Sequence, residues 1–240
     1  MKAIIGEKSF VDVILPNYNK AEFLEEAIKS VTTQTYKNWH LYIVDDHSTD
    51  NSRQIIDKFA NLKNVTIIVL NKNKGPSFCR NYAMRISKSK YISFMEKNNL
   101  TITYTDYTPF FENNGKRKIK KKTLLKDYFN YATFIKNSSI NTTTMIIARS
   151  ILGSHRFRKI KLLEDYLFKC QLLKDNNIAK KVDGDLAFYR ILNKSRSSQR
   201  LKNIYWLWSI NKNYNKLNFL QNVISVFFIS INSVKKYGIK

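Results

Sequence analysis

Apolar residues in the first half of the chain follow two alternating rhythms. Val11, Val13, Ile14 and Leu15 form a short apolar run stopped by Pro16, as expected of a strand buried on both faces. From Lys20 the period lengthens, and Phe23, Leu24, Ala27, Ile28 and Val31 line one face of a helix. A second β-rich run, 41–44, ends on Asp45 and Asp46. Continued in this way, the pattern predicts strands at 11–15, 40–44, 65–70 and 91–95, with helices at 21–33, 51–61 and 76–88 between them. Such alternation predicts a mostly parallel α/β sheet with right-handed crossovers. Ligands of open α/β sheets bind beyond the carboxyl ends of the strands, so 16–19 and 45–48 are expected to meet at one crevice.

The second half is less regular. It predicts a strand at 101–107, a basic loop or hairpin at 110–122, short helices at 124–134 and 150–152, a helix at 164–176 and a last strand at 187–191. From about Leu201 the chain changes character, and Tyr205, Trp206, Trp208, Phe219, Phe227 and Phe228 are interleaved with lysines. The segment FLQNVISVFFISI is too short and too polar to span a bilayer, which takes about 20 apolar residues. Two readings stand for this tail: an amphipathic helix at a membrane interface, or a helix packed on the domain or on a second subunit. The organisation expected is one domain over 1–200 and a basic, aromatic helical tail over 201–240.

Composition narrows the setting. The formal net charge is +24, no acidic residue follows Asp185, and KRKIKKK forms a basic block at 116–122. Polyanions are the partners this attracts: nucleotide phosphates, an anionic membrane surface or nucleic acid. Two cysteines, Cys79 and Cys170, have no metal-ligand spacing and read as buried free thiols. MKAIIGEKSF is broken by charge before any signal-peptide core can form, which points to a cytoplasmic protein.

The ordered set PNYN, SVTTQTYKNWHLYIVDDHSTDNS, NKGPSFCRNYAMRISKSKYISF, NTTTMIIARS, LLEDYLFK and FYRILNKSRSS resembles the family-2 glycosyltransferases, enzymes of the GT-A fold that use nucleotide sugars. The resemblance runs over roughly residues 9–200, the span of one ordinary domain. It implies a GT-A-type nucleotide-binding α/β domain, a UDP-sugar donor, and a glycan or glycolipid acceptor of the cell surface. It also implies a divalent cation, Mn or Mg, and a position on the inner face of a membrane. Nucleic acid is disfavoured, because paired strand-end carboxylates would repel phosphate.

Residue by residue, the resemblance gives Asp45 to the base or ribose of the donor and packs Pro16, Asn17 and Tyr18 against the nucleoside. Asp46 joins the donor site in this reading, or else caps the following helix together with Ser48 and Asp50. Gly75 allows a tight turn, and Arg80 suits a diphosphate or a structural carboxylate. Inverting transfer needs a base for the acceptor hydroxyl. The resemblance assigns that role to Asp165, with Glu164 beside it in the acceptor site. Arg190 and Arg196 lie where family members close over donor phosphate.

One departure stands out. Where the family carries a D-x-D metal motif after the YISF-type strand, this chain has YISFMEKNNL and then, at once, TITYTDY. Read in place, the motif becomes E-x-N, with Glu96 as metal candidate. Read as a deletion, roughly 15–20 residues, one helix and its turn, have gone together with the metal ligands.

Overall fold

The computed structural model describes residues 11–93, 102–113, 116–183, 187–191 and 200–237. The chain divides into two compact units, Met1–Glu96 with Ile147–Gly153, and Lys97–Ile146 with Ser154–Lys240.

In the first unit the predicted alternation is present. The strands are β1 (Val11–Asn17), β2 (Trp39–Asp45), β3 (Val65–Val69) and β4 (Tyr91–Ser93); the helices are α1 (Ala21–Thr32), α2 (Ser52–Asp57) and α3 (Pro76–Ile86). The four strands run parallel in the order β3-β2-β1-β4, and β1 is in register with β2 from Val11 opposite Trp39 to Asn17 opposite Asp45. One sheet face, Val11, Val13 and Leu15 of β1 with Leu41 and Ile43 of β2, packs on Leu24, Ile28 and Val31 of α1 and Ile56 of α2. Each such buried aliphatic side chain contributes roughly 1.5–3 kcal/mol relative to exposure. Helix α3 packs against β1 and β2.

The rest of the chain has shorter strands and, at its end, two long helices: β5 (Ile102–Thr105), β6 (Thr108–Asn113), β7 (Lys116–Ile119), β8 (Tyr128–Phe129), α4 (Tyr131–Phe134), β9 (Ile146–Ala148, at the boundary between units), α5 (Arg149–Leu152, in the first unit), α6 (Glu164–Lys174), β10 (Ala179–Val182), β11 (Phe188–Arg190), α7 (Arg200–Asn213) and α8 (Phe219–Tyr237). Strand β10 pairs parallel with β5 and antiparallel with β8. The basic segment takes the hairpin form: β6 pairs antiparallel with β7, and β11 lies parallel to β6 on its other edge.

The helix expected at 124–134 is corrected. Tyr128 and Phe129 are drawn into the sheet by β10, and the helix begins only at Tyr131. There Asn130 forms a capping box with Thr133, whose N–H meets Asn130 Oδ1 at 2.9 Å while Asn130 N–H meets Thr133 Oγ1 at 3.1 Å. Strands β9 and β10 were not expected.

The tail is two helices that belong to the second unit, and three of their polar side chains face inward. Asn211, Asn222 and Ser225 are buried. Asn211 accepts from Tyr166 OH at 2.9 Å and donates to Ser225 Oγ at 2.8 Å, and Ser225 donates to the Ile135 carbonyl at 2.5 Å. Leu201, Phe219, Leu220 and Phe227 are instead exposed. No helix among the described residues is long and apolar enough to cross a membrane.

Candidate functional site

The loops at the carboxyl ends of β1 and β2 meet, and hydrogen bonds join them. Asn17 Nδ2 donates to Asp45 Oδ1 at 2.7 Å. Ser48 donates its hydroxyl to Asp45 Oδ1 at 2.6 Å and its N–H to Oδ2 at 2.9 Å. Ser48 Oγ accepts from Asn19 N at 3.0 Å, and Thr49 N donates to Asn19 Oδ1 at 2.7 Å. Asp45 is only 2% exposed, and a buried carboxylate is tolerated because these donors replace its water. Asn19 and His47, with φ of 48° and 63°, sit in the left-handed region, which costs a non-glycine residue roughly 1–2 kcal/mol. The cross-loop bonds offset that strain, which is typical of loops built to receive a ligand. Tyr18 is 46% exposed within this bonded frame.

Asp46, the next residue, faces different partners. Its Oδ1 accepts from Lys74 N and its Oδ2 from Gly75 N, both at 2.7 Å. Two successive amides on one carboxylate fix the entry to α3. Gly75 has φ 87° and ψ 162°, a conformation open essentially to glycine alone. The helix Asp46 organises is therefore α3. Asp50 serves α1 and α2, accepting from Ala21 N and Ser52 N at 3.0 Å each. Both cysteines are buried free thiols, as expected. Burial first, and then the charge of Asp46, pushes the Cys79 thiol up to about 12. Arg80 is half-buried in α3.

A second buried carboxylate in this unit stands at the start of β1. Asp12 accepts from Ser89 N at 2.9 Å and Ser89 Oγ at 2.8 Å, and Arg149 Nη2 lies 3.8 Å away. Arg149 also donates to the Ser89 carbonyl at 2.6 Å and to Ser87 Oγ at 2.6 Å. It ties the end of α3 to β1, a role that no sequence signal announced.

In the second unit Glu164 and Asp165 open α6 after Leu163, whose φ of 62° is rare for a branched side chain. Glu164 is buried. Asp165 Oδ2 accepts from Thr142 Oγ1 at 3.0 Å and from the Lys169 ammonium at 3.0 Å. Lys169, itself 4% exposed, donates further to the Ile140 carbonyl at 2.8 Å. The i,i+4 spacing of Asp165 and Lys169 was the available signal for this pair, and Thr142 lies in the NTTT segment.

Arg190 ion-pairs with Glu112 across β11 and β6, and its guanidinium stacks over Phe110, 5.0 Å from the ring centroid. It is thus anchored in the small sheet. Arg196 and Glu96 lie outside the described residues. Among the described residues no group of three His, Cys, Asp or Glu side chains could hold a metal ion, so no ligand set for the expected cation can be assembled from them.

Comparison with known proteins bears on the fold and the family. Residues 12–98 match the family described as glycosyl transferase family 2. The chain is 25% identical to the putative teichuronic acid biosynthesis glycosyltransferase TuaG of Bacillus subtilis, over 95% of this chain and 98% of that one. It is 27% identical to the Escherichia coli UDP-Glc:alpha-D-GlcNAc-diphosphoundecaprenol beta-1,3-glucosyltransferase WfgD, over 93% and 92% of the two chains. Among solved structures, S. aureus TarS 1–349 in complex with UDP-GlcNAc superposes with a TM-score of 0.66 at 17% identity, over 94% of this chain and 73% of that one. The fold is of the GT-A type.

Proposed function

We propose, from the match of residues 12–98 to glycosyl transferase family 2, that the chain is a glycosyltransferase that moves a hexose from a UDP-sugar to a glycan or glycolipid acceptor of the bacterial surface, with inversion at the anomeric carbon. The observation that carries this reading is the buried Asp45 at the end of β2, held by Asn17 and Ser48 with acceptor capacity left on its Oδ2, beside an exposed Tyr18. A uracil ring offers an N–H, and ribose offers hydroxyls, to a carboxylate held in that way. Tyr18 and Pro16 supply a flat apolar surface for the nucleoside. Asp46 contributes by fixing the Gly75 turn, and Arg80 contributes positive charge from α3 towards the donor diphosphate.

Asp165 takes the proton of the acceptor hydroxyl as that oxygen attacks the sugar. Thr142 and Lys169 fix its Oδ2 and so its rotamer, which serves a base whose rate depends on alignment. Glu164 borders the acceptor.

The test is kinetic. Asp165→Asn should lower kcat by at least about a hundredfold while UDP affinity stays within about threefold, because a base acts in the transition state and not in donor binding. Equal losses in both would make Asp165 structural.

We place this activity on the inner face of a membrane, held by the tail. Leu201 is 83% and Phe219 75% exposed, while lysines at 202, 212, 216, 235 and 236 supply charge against anionic lipid. Because α7 and α8 are tied into the second unit, the fitting test is substitution and not truncation. Replacing Leu201, Phe219 and Phe227 by serine should abolish sedimentation with phosphatidylglycerol vesicles and leave the unfolding midpoint unchanged. Retained sedimentation would remove the tail from this role.

A further inference from the structure

Beside β7, the 120–126 segment and α8 line a half-open cavity of about 370 Å³. Its wall carries Lys120, Lys121, Lys122, Lys126, Lys235 and Lys236, and no carboxylate among the described residues. Of these six, only Lys122 has an acidic partner among the described residues, Asp106 at 3.9 Å. Lys236 is the innermost in character: its ammonium hydrogen-bonds Ser139 Oγ, and burial, then repulsion from Lys169, push it down to about 8. Ammonium groups gathered around one concave space repel one another, and desolvation adds to the cost. A bound polyanion would relieve both.

We propose that this cavity is a binding site for a diphosphate group. A half-open recess of this size suits a compact anion, whereas nucleic acid would call for a long basic groove tracking its backbone. Six cations match a charge that a monoanion would leave mostly uncompensated, and Ser139, Asn137 and Asn232 add neutral hydrogen-bonding groups to the wall. The site also borders the proposed base. Ser139 precedes Ile140, whose carbonyl holds the Lys169 ammonium, which pairs with Asp165. A diphosphate here would put the rest of an acceptor molecule near α6. That last link rests on the role of Asp165 proposed above; diphosphate binding itself does not.

The shared chemistry has two sources, free pyrophosphate and a lipid diphosphate headgroup. The intact chain is titrated with inorganic pyrophosphate, with sulfate at equal ionic strength as reference. One site per chain is expected, weakened about tenfold or more by the double variant Lys121→Gln/Lys235→Gln, whose side chains are exposed and whose loss spares the fold. UDP affinity, read under saturating pyrophosphate, should not change. Pyrophosphate bound no tighter than sulfate, or bound equally by the double variant, overturns the proposal. Vesicles carrying a lipid diphosphate are then compared with phosphatidylglycerol vesicles of matched charge. Preference for the former, competed by pyrophosphate, assigns the lipid headgroup, and pyrophosphate binding without that preference assigns the free anion. Loss of UDP binding alone would sink the donor reading and leave this one standing.

Discussion

The two units treat buried charge differently. In the first, Asp12, Asp45 and Asp46 are buried, and each carboxylate is met by at least two donors, mostly backbone or small polar side chains. In the second, Asp106 and Glu164 are buried too, but so is the ammonium of Lys169, and that of Lys236 is half-buried. Lys169 finds Asp165 and a carbonyl, whereas Lys236 has, among the described residues, a hydroxyl oxygen alone, beside a cavity walled by further lysines. A satisfied buried charge fixes geometry, and an under-satisfied one stores free energy that a ligand can release. The first arrangement suits a preformed nucleotide site; the second suits a site completed by its anion.

Asp46→Ala breaks the first half of that comparison most severely. It strands the amides of Lys74 and Gly75, both charge-assisted donors at 2.7 Å, and should cost about 3–4 kcal/mol of stability. Asp50 makes formally similar bonds to Ala21 and Ser52, yet it is exposed, so Asp50→Ala should cost only about 1 kcal/mol. Urea unfolding of the two variants checks this. Equal losses would mean that burial is not what makes the strand-end carboxylates important.

The same contrast explains what could be read from the sequence. In the first unit, strand, turn, helix and carboxylate follow one another within about forty residues, and local periodicity carries most of the information. The meeting of 16–19 with 45–48 was therefore legible from Pro16, Asn17, Asp45 and Asp46. The second unit depends on pairings between distant short pieces. Tyr128 and Phe129 sit in a helix-like stretch until Ala179 and Lys180 pair with them. The N-cap that starts α4, Asn130 followed by Thr133, was visible and would have moved the helix to Tyr131. Nothing local told that Asn211, Asn222 and Ser225 would turn inward, because their partners Tyr166 and Ile135 lie far back in the chain. The carboxylate partners of Lys169 and Arg190 obey ordinary spacing or cross-strand rules. The resemblance had given Arg190 to donor phosphate, and Lys169 had not been singled out.

Lys236→Met sharpens the second half of the comparison with a smaller effect and a definite pH signature. The folded ammonium is pushed down to about 8, whereas an unfolded lysine titrates near about 10.4. Between those values the unfolded chain holds a proton that the folded chain lacks, so this group's contribution to stability rises with pH across that window. Its full cost is present below about pH 8. The methionine variant should therefore be more stable than the parent at pH 7 by about 2–3 kcal/mol, and the advantage should shrink as pH rises through 8 towards 10.5. Taking the difference between the two proteins matters, because Cys79 and Cys170, both pushed up to about 12, pull stability the opposite way above pH 9 in each of them. Saturating pyrophosphate should erase the advantage at pH 7 by stabilising the parent. A variant no more stable than the parent at pH 7, or an advantage that does not move between pH 7 and 10.5, would show that the Lys236 ammonium is well solvated and that the second unit stores no such charge.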